Sequence, residues 1–118
     1  MNLNQLSELQ IKMDELHGFS VDFSSDRDKY DQLTKDLVGL FGEVGEFANV
    51  VKKINIKLDR PDSYPLVLSE AEEMLSEELI DSLIYLIRIG AILKIDLEHE
   101  LLKKIKHNKA RYAPLTRE

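Results

Sequence analysis

Apolar residues recur every three or four positions in four stretches of the chain, which is the period of an amphipathic α-helix. The first stretch covers residues 3–17 and is followed by Gly18, a residue type that commonly ends helices. The second is expected over about residues 31–58, with Ser25 and Asp28 as a candidate capping pair ahead of it. Because no strand pattern is visible, the sequence predicts an all-α fold.

The second half of the chain contributes the other two helices. Residues 59–68 hold two prolines, which break the helical pattern and mark the longest loop. The third helix is expected over about residues 69–94, beginning at a capping box formed by Ser69 and Glu72. Asp96 then suits the N-cap of a fourth helix. The expected architecture is a bundle of four principal helices.

The third helix carries few polar residues, and they share one side. Because a helix turns by about 100° per residue, these residues fall within an arc of roughly 80°. They are Glu78, Asp81, Tyr85 and Arg88. The remaining surface of the helix is apolar, which is typical of a buried helix. Carboxylates in such surroundings must be paired, protonated or bound to a metal. The pattern therefore predicts a site on this side, and homo-oligomerisation to cover the rest.

Three glycines lie in the second helix around another acidic pair, Glu43 and Glu46. A glycine inside a helix costs up to about 1 kcal/mol relative to alanine. We therefore expect close approach of a backbone or a ligand at Gly39, Gly42 and Gly45. The spacing of the acidic pair alone fits a solvated helix face equally well, and a site requires that another helix cover this side.

Composition narrows the classes of protein to which this sequence can belong. The 118 residues are enough for a single domain, residues 1–118, and the absence of cysteine excludes disulfides and thiolate metal sites. A net charge of -6 argues against a nucleic acid as partner. The first ten residues lack the pattern of a signal peptide, and the longest apolar run is too short to span a membrane. We expect a cytoplasmic protein with no membrane partner.

Three motifs, taken in order, resemble those of the MazG-like all-α nucleoside triphosphate pyrophosphohydrolases. They are a Glu-x-x-Glu pair at Glu43 and Glu46, a Glu-x-x-Asp pair at Glu78 and Asp81, and the residues Lys104, Asn108 and Arg111 on one helix face. The resemblance covers roughly residues 28–112, and the combination of motifs is more specific than any one of them.

The resemblance implies a function and a set of site residues. The four acids would be both the Mg²⁺ ligands and the catalytic groups, with Mn²⁺ as a substitute, and the reaction would release pyrophosphate and a nucleoside monophosphate. Family members assemble as homodimers or homotetramers. Our candidates for binding the nucleoside triphosphate substrate are Lys53, Tyr85, Lys104, Asn108 and Arg111.

Two alternatives stay open from the sequence. The chain could be a non-catalytic oligomerisation module in which the acids pair with Arg88 or with C-terminal lysines, or the same fold could act on dUTP or phosphoribosyl-ATP. Two features depart from the family pattern: the segment between Glu46 and Glu78 is long, and the chain has no tryptophan. The aromatic base pocket of the cytosine-specific relatives is therefore not reproduced, and the preferred base stays open.

Overall fold

The computed structural model describes residues 1–117 and consists of four α-helices and a short 3₁₀ turn. The elements are α1 (Leu3–Leu16), α2 (Asp26–Asp59), α3 (Leu68–Ile92), α4 (Leu97–Arg111) and the turn Ala113–Leu115. No strand occurs within residues 1–117. The predicted all-α class and the four principal helices are confirmed.

Two helix boundaries in the first half follow from local sequence signals. Gly18 has a φ of 84°, a left-handed conformation that glycine adopts without a Cβ clash, and it follows the end of α1 as predicted. The side chain of Ser25 accepts a hydrogen bond from the backbone N–H of Asp28, so α2 begins directly after Ser25. The predicted start of α2 at residue 31 was therefore five residues late.

The start of α3 also differs from the prediction. Ser69 and Glu72 do not form a capping box, because α3 already begins one residue before Ser69 and its N-cap, Val67, makes no side-chain hydrogen bond. The first turn of α3 is stabilised by packing and not by a side-chain cap, since Ala71 is only 1% exposed. Asp96 does cap α4, as predicted: its side chain accepts a hydrogen bond from the backbone N–H of His99 at 3.0 Å.

Helices α2 and α3 form an antiparallel hairpin, which is the main packing interface of the chain. On both helices the facing residues are spaced by three, four and three positions. They are Asp36, Gly39, Glu43 and Glu46 on α2, and Glu78, Asp81, Tyr85 and Arg88 on α3. At one end Asp36 pairs with Arg88, and further along Glu46 meets Glu78. We name these eight residues the polar seam.

The buried core of a single chain is small. Its apolar members are Val21, Val50, Ala71, Ile87 and Ile92. On α3, by contrast, five large apolar side chains are between 43% and 58% exposed, namely Met74, Leu79, Ile80, Leu83 and Leu86. One chain therefore does not bury α3 on all sides. Within residues 1–117, no helix has the length and apolar character needed to cross a membrane.

Candidate metal centre and its cleft

Three of the four predicted acids converge where α2 faces α3. Glu43, Glu46 and Glu78 each place one carboxylate oxygen within 4.8 Å of the others, and we name them the acid triad. Glu43 and Glu78 are half-buried, whereas Glu46 is exposed. A site required that another helix cover this side of α2, and α3 of the same chain does so at Glu43, whereas Glu46 stays exposed.

Among the described residues, no side chain forms an ion pair with the acid triad. The Oε2 atoms of Glu43 and Glu78 are buried and have no hydrogen-bond partner within residues 1–117. A protonated Glu78 can donate to Glu43 and also to Glu46, and this hydrogen bonding raises the pKa of Glu78 to about 8 from an ordinary value of 4.5. Burial and the two neighbouring negative charges act in the same direction. A proton or a cation is needed between these carboxylates.

The donor set of the acid triad fits a hard divalent cation. Carboxylate oxygens are the ligands that Mg²⁺ and Mn²⁺ prefer, and Mg²⁺ is commonly held by a few carboxylates together with waters and substrate phosphates. The two unpartnered Oε2 atoms are free to coordinate, because no other group in residues 1–117 uses them. Glu46, being exposed, leaves the site open on the solvent side.

A cleft of about 490 Å³ lies beside the acid triad and follows the polar seam. Its lining includes three acids of the seam: Glu43 and Asp81 near the triad, and Asp36 beside Arg88 at the far end, past Tyr85. Asp81 is exposed and lines this cleft, but it is not part of the convergent triad. The fourth predicted acid is therefore next to the site and not inside it.

The position of Tyr85 explains why one of the three glycines of α2 has no room for a side chain. A Cβ built on Gly39 would lie 2.4 Å from Cζ of Tyr85, so the ring packs directly on the backbone of α2. A close approach does occur at this glycine, but the approaching group is a side chain and not the expected backbone or ligand. At Gly42 and Gly45 nothing within residues 1–117 comes within 4 Å of a Cβ, so no contact within the chain accounts for them.

A second charged cluster, which the sequence did not reveal, occupies the far end of the polar seam. The guanidinium of Arg88 donates from Nη1 to Asp14 at 3.0 Å and from Nε to Asp36 at 3.1 Å. In each aspartate this bond uses Oδ2, while Oδ1 accepts from a glutamine four residues earlier, Gln10 or Gln32. We name Arg88, Asp14 and Asp36 the arginine cluster.

The arginine cluster is buried and internally compensated. The side chains of Arg88, Asp14 and Asp36 are 8%, 10% and 7% exposed. Burial alone would lower the pKa of Arg88, but the hydrogen bonds to Asp36 and Asp14 outweigh it and raise that pKa above its ordinary value. Arg88 is thus charged and occupied by Asp14 and Asp36, so of the two pairings considered for the oligomerisation module only the one with the C-terminal lysines stays open. Repetition of the Gln-x-x-x-Asp spacing was the only local signal for this cluster.

The remaining predicted substrate residues lie elsewhere in a single chain. Lys53 is half-buried on α2, about two turns beyond Glu46, and does not line the cleft. Lys104 and Arg111 are exposed on α4, where the guanidinium of Arg111 stacks 5.2 Å from the ring of Tyr112. Asn108 is half-buried on the same helix. One chain therefore does not bring the α4 residues to the acid triad.

The long loop at residues 59–68 packs against α2 and does not reach the cleft. The ammonium group of Lys57 donates to the backbone carbonyls of Pro61 at 2.6 Å and Tyr64 at 2.9 Å. These contacts hold the loop against the C-terminal end of α2, well beyond Glu46. The loop lines no part of the cleft in a single chain.

The sequence of this chain is similar to those of several known proteins. The chain is 29% identical to dCTP pyrophosphatase 1 of Mus musculus over 102 residues, 32% to that of Bos taurus over 105 residues and 29% to that of Homo sapiens over 102 residues. The resemblance to the MazG-like pyrophosphohydrolases is confirmed. Each match covers 85% of this chain. The chain spans less than three fifths of these relatives, 58% of the mouse protein and 59% of the bovine one. No family model and no solved structure matches the chain.

Proposed function

We propose that this protein hydrolyses a (deoxy)nucleoside triphosphate to the nucleoside monophosphate and pyrophosphate, with Mg²⁺ held by the acid triad. The observation that supports this most directly is the pair of buried, unpartnered oxygens on Glu43 and Glu78, which meet Glu46 at the edge of a cleft. The similarity to proteins named dCTP pyrophosphatase 1 points to the same class of reaction.

The side chains divide the chemical tasks. Mg²⁺ would supply neutralisation of the triphosphate charge and acidification of the attacking water. Glu43 and Glu78 are the inner ligands because their free oxygens are buried. Glu46, which is exposed, would be the general base that accepts the proton of the attacking water. Asp81, on the wall of the cleft, would be the fourth acid available to hold the metal.

The cleft has the size for a nucleotide. Pockets for small ligands commonly measure about 300–1,000 Å³, and this one measures about 490 Å³. Because the acid triad lies at one end, the phosphates bind there and the nucleoside extends along the polar seam past Tyr85. The names of the relatives make dCTP the first substrate to test, although the absence of tryptophan means that any base contact differs from the pocket expected in cytosine-specific relatives.

We further propose that the active form is a homodimer or homotetramer in the cytoplasm. The radius of gyration is 18.6 Å, whereas a compact domain of this length has about 13–14 Å. The accessible surface is 9165 Å², whereas a compact monomer of this mass exposes about 6,600 Å². The excess matches the area that a large subunit interface covers. A second copy could then present Lys104, Asn108 and Arg111 to the substrate.

The test is a turnover assay with a panel of nucleotides. Purified protein and Mg²⁺ are incubated with the common ribo- and deoxyribonucleoside triphosphates, dUTP and phosphoribosyl-ATP, and products are separated by anion-exchange chromatography. We expect pyrophosphate and a monophosphate in equal amounts from at least one nucleotide, and none with Glu43→Gln. A folded protein that releases pyrophosphate from no member of the panel contradicts the proposal and favours the oligomerisation module.

A further inference from the structure

Arg88 connects three separate parts of the chain at one buried point. Its guanidinium donates to Asp14 on α1, to Asp36 on α2 and, at 3.2 Å, to the backbone carbonyl of Phe19 in the segment between these helices. Within residues 1–117 the pair with Asp36 is the only ion pair that joins α2 to α3. Elsewhere along the polar seam the ring of Tyr85 packs on the backbone at Gly39, and Glu78 meets Glu43 and Glu46.

The register between α2 and α3 decides whether the acid triad forms. A slide of one helical turn moves facing residues by about 5.4 Å along the axis, and the triad oxygens converge within 4.8 Å. Apolar burial is non-directional, so it does not by itself select one register of α2 against α3. A hydrogen-bonded ion pair is directional, and its loss in a buried place is costly. The pair of Arg88 and Asp36 is therefore suited to set the register.

We infer that the ion pair between Arg88 and Asp36 positions the acid triad by fixing the register of α2 against α3. Arg88 is then a positioning residue that acts through the two helices, since Asp36 precedes Glu43 by seven residues on α2 and Arg88 follows Glu78 by ten on α3. This inference deepens the proposed function and rests on it for its catalytic consequence. Its structural consequence, the register itself, can be measured without metal or substrate.

The arginine cluster contains its own matched control. Asp14 and Asp36 accept from the same guanidinium, are almost equally buried and are each supported by a glutamine four residues earlier. They differ in their helix: Asp14 is on α1, which carries no member of the acid triad, and Asp36 is on α2, which carries two. A purely structural role for the cluster predicts the same consequences for both aspartates. A register role predicts a difference.

The first readout is the affinity for Mn²⁺, measured by electron paramagnetic resonance on the full chain. We expect Asp36→Asn to weaken Mn²⁺ binding roughly 10-fold to 100-fold, the range seen when groups that orient metal ligands are removed. Asp14→Asn should lower the midpoint of urea unfolding to a similar extent but leave Mn²⁺ affinity within about twofold. Equal losses of Mn²⁺ affinity in the two variants, or no loss in either, would overturn the inference.

The second readout separates this inference from the proposed function. Because the chain has no cysteine, spin labels can be attached at Ala48→Cys on α2 and Glu77→Cys on α3, two exposed positions. Pulsed dipolar spectroscopy, with unlabelled protein in excess to suppress distances between copies, then reports the register. We expect a shifted or broadened distance in Asp36→Asn and an unchanged one in Asp14→Asn. If wild-type protein binds no Mn²⁺, the metal site fails, and the label distances still decide the role of Arg88.

Discussion

The acid triad and the arginine cluster lie on the same polar seam and are built in opposite ways. In the arginine cluster, each aspartate has one oxygen satisfied by a glutamine and the other by Arg88. In the acid triad, one oxygen of Glu43 and one of Glu78 are buried without any partner in residues 1–117. Carboxylates that the chain neutralises itself hold helices together, whereas those left uncompensated are available to an external cation.

Removing the positive charge of Arg88 from the arginine cluster should have the largest effect on stability. Arg88→Met leaves Asp14 and Asp36 buried without a positive charge, which costs about 3–5 kcal/mol when a buried pair is broken. Urea unfolding followed by circular dichroism measures the change. The triple variant with Asp14→Asn and Asp36→Asn should recover most of the loss. A loss below about 1 kcal/mol for Arg88→Met, the level of an exposed pair, would mean that the cluster does not hold the helices.

Neutralising the acid triad should affect activity and not stability. Glu78→Gln removes an inner ligand while relieving repulsion from Glu43, so turnover should fall at least about 100-fold, beyond the usual effect of losing an outer-shell group. The metal-free protein should stay as stable as wild type or become more stable. Initial rates with Mg²⁺ and urea unfolding without it give the two values. A variant that unfolds instead would assign Glu78 a structural role.

The contact between the two clusters can be tested at Gly39. Gly39→Ala places a methyl group against the ring of Tyr85, and overpacking of this kind costs about 1–3 kcal/mol. Gly42→Ala is the matched control, because nothing within 4 Å in residues 1–117 meets its Cβ. Thermal unfolding of both variants checks the difference. Equal midpoints would show that Tyr85 moves aside without cost.

The smallest expected effect is a pH dependence of stability that comes from Glu78 of the acid triad. The pKa of Glu78 is about 8 in the folded chain and near 4.5 when unperturbed, so the folded state binds more protons between these values. This stabilising contribution is complete below pH 4.5 and is lost as the pH rises through 8. Urea unfolding of the metal-free protein at pH values between these two pKa values should show the decline.

Two controls sharpen that pH experiment. Glu78→Gln should flatten the decline, because a glutamine cannot titrate. Saturating Mg²⁺ should reverse it, because metal ions compete with protons for carboxylates and bind better as the pH rises. A decline that persists unchanged in Glu78→Gln would assign the titration to another group.

Local periodicity predicted the α3 half of the polar seam, the motifs added Glu43 and Glu46 of the α2 half, and Asp36 was missed. The helical spacing of Glu78, Asp81, Tyr85 and Arg88 is sufficient by itself to place them on one side of α3. The partners of Arg88 are 52 and 74 residues away in sequence, beyond the reach of any helical pattern. Asp36 therefore could not be distinguished from the other acids of α2.

Other predictions depended on tertiary packing in similar ways. Ser69 has the residue type of a cap, but the burial of Ala71 starts α3 earlier. Glu43 and Glu46 were ambiguous because their role depends on which helix faces α2, which the sequence of α2 does not contain. Lys104 and Arg111 carry the positive charge that phosphate binding requires. They lie on α4, however, which does not reach the acid triad in a single chain. Their role stays a prediction that requires a second copy.

The most direct test of the acid triad as a cation site is the thermal unfolding of nucleotide-free protein at increasing Mg²⁺ concentrations. A cation that binds only the folded state raises its stability by RT ln(1 + [Mg²⁺]/Kd), about 2.7 kcal/mol at 100 times Kd. We expect the midpoint of wild type and of Asp14→Asn to rise with Mg²⁺, and that of Glu43→Gln with Glu78→Gln to stay constant. The account would be contradicted if the wild-type midpoint did not change with Mg²⁺, or if the midpoint of the double variant rose as much as that of wild type.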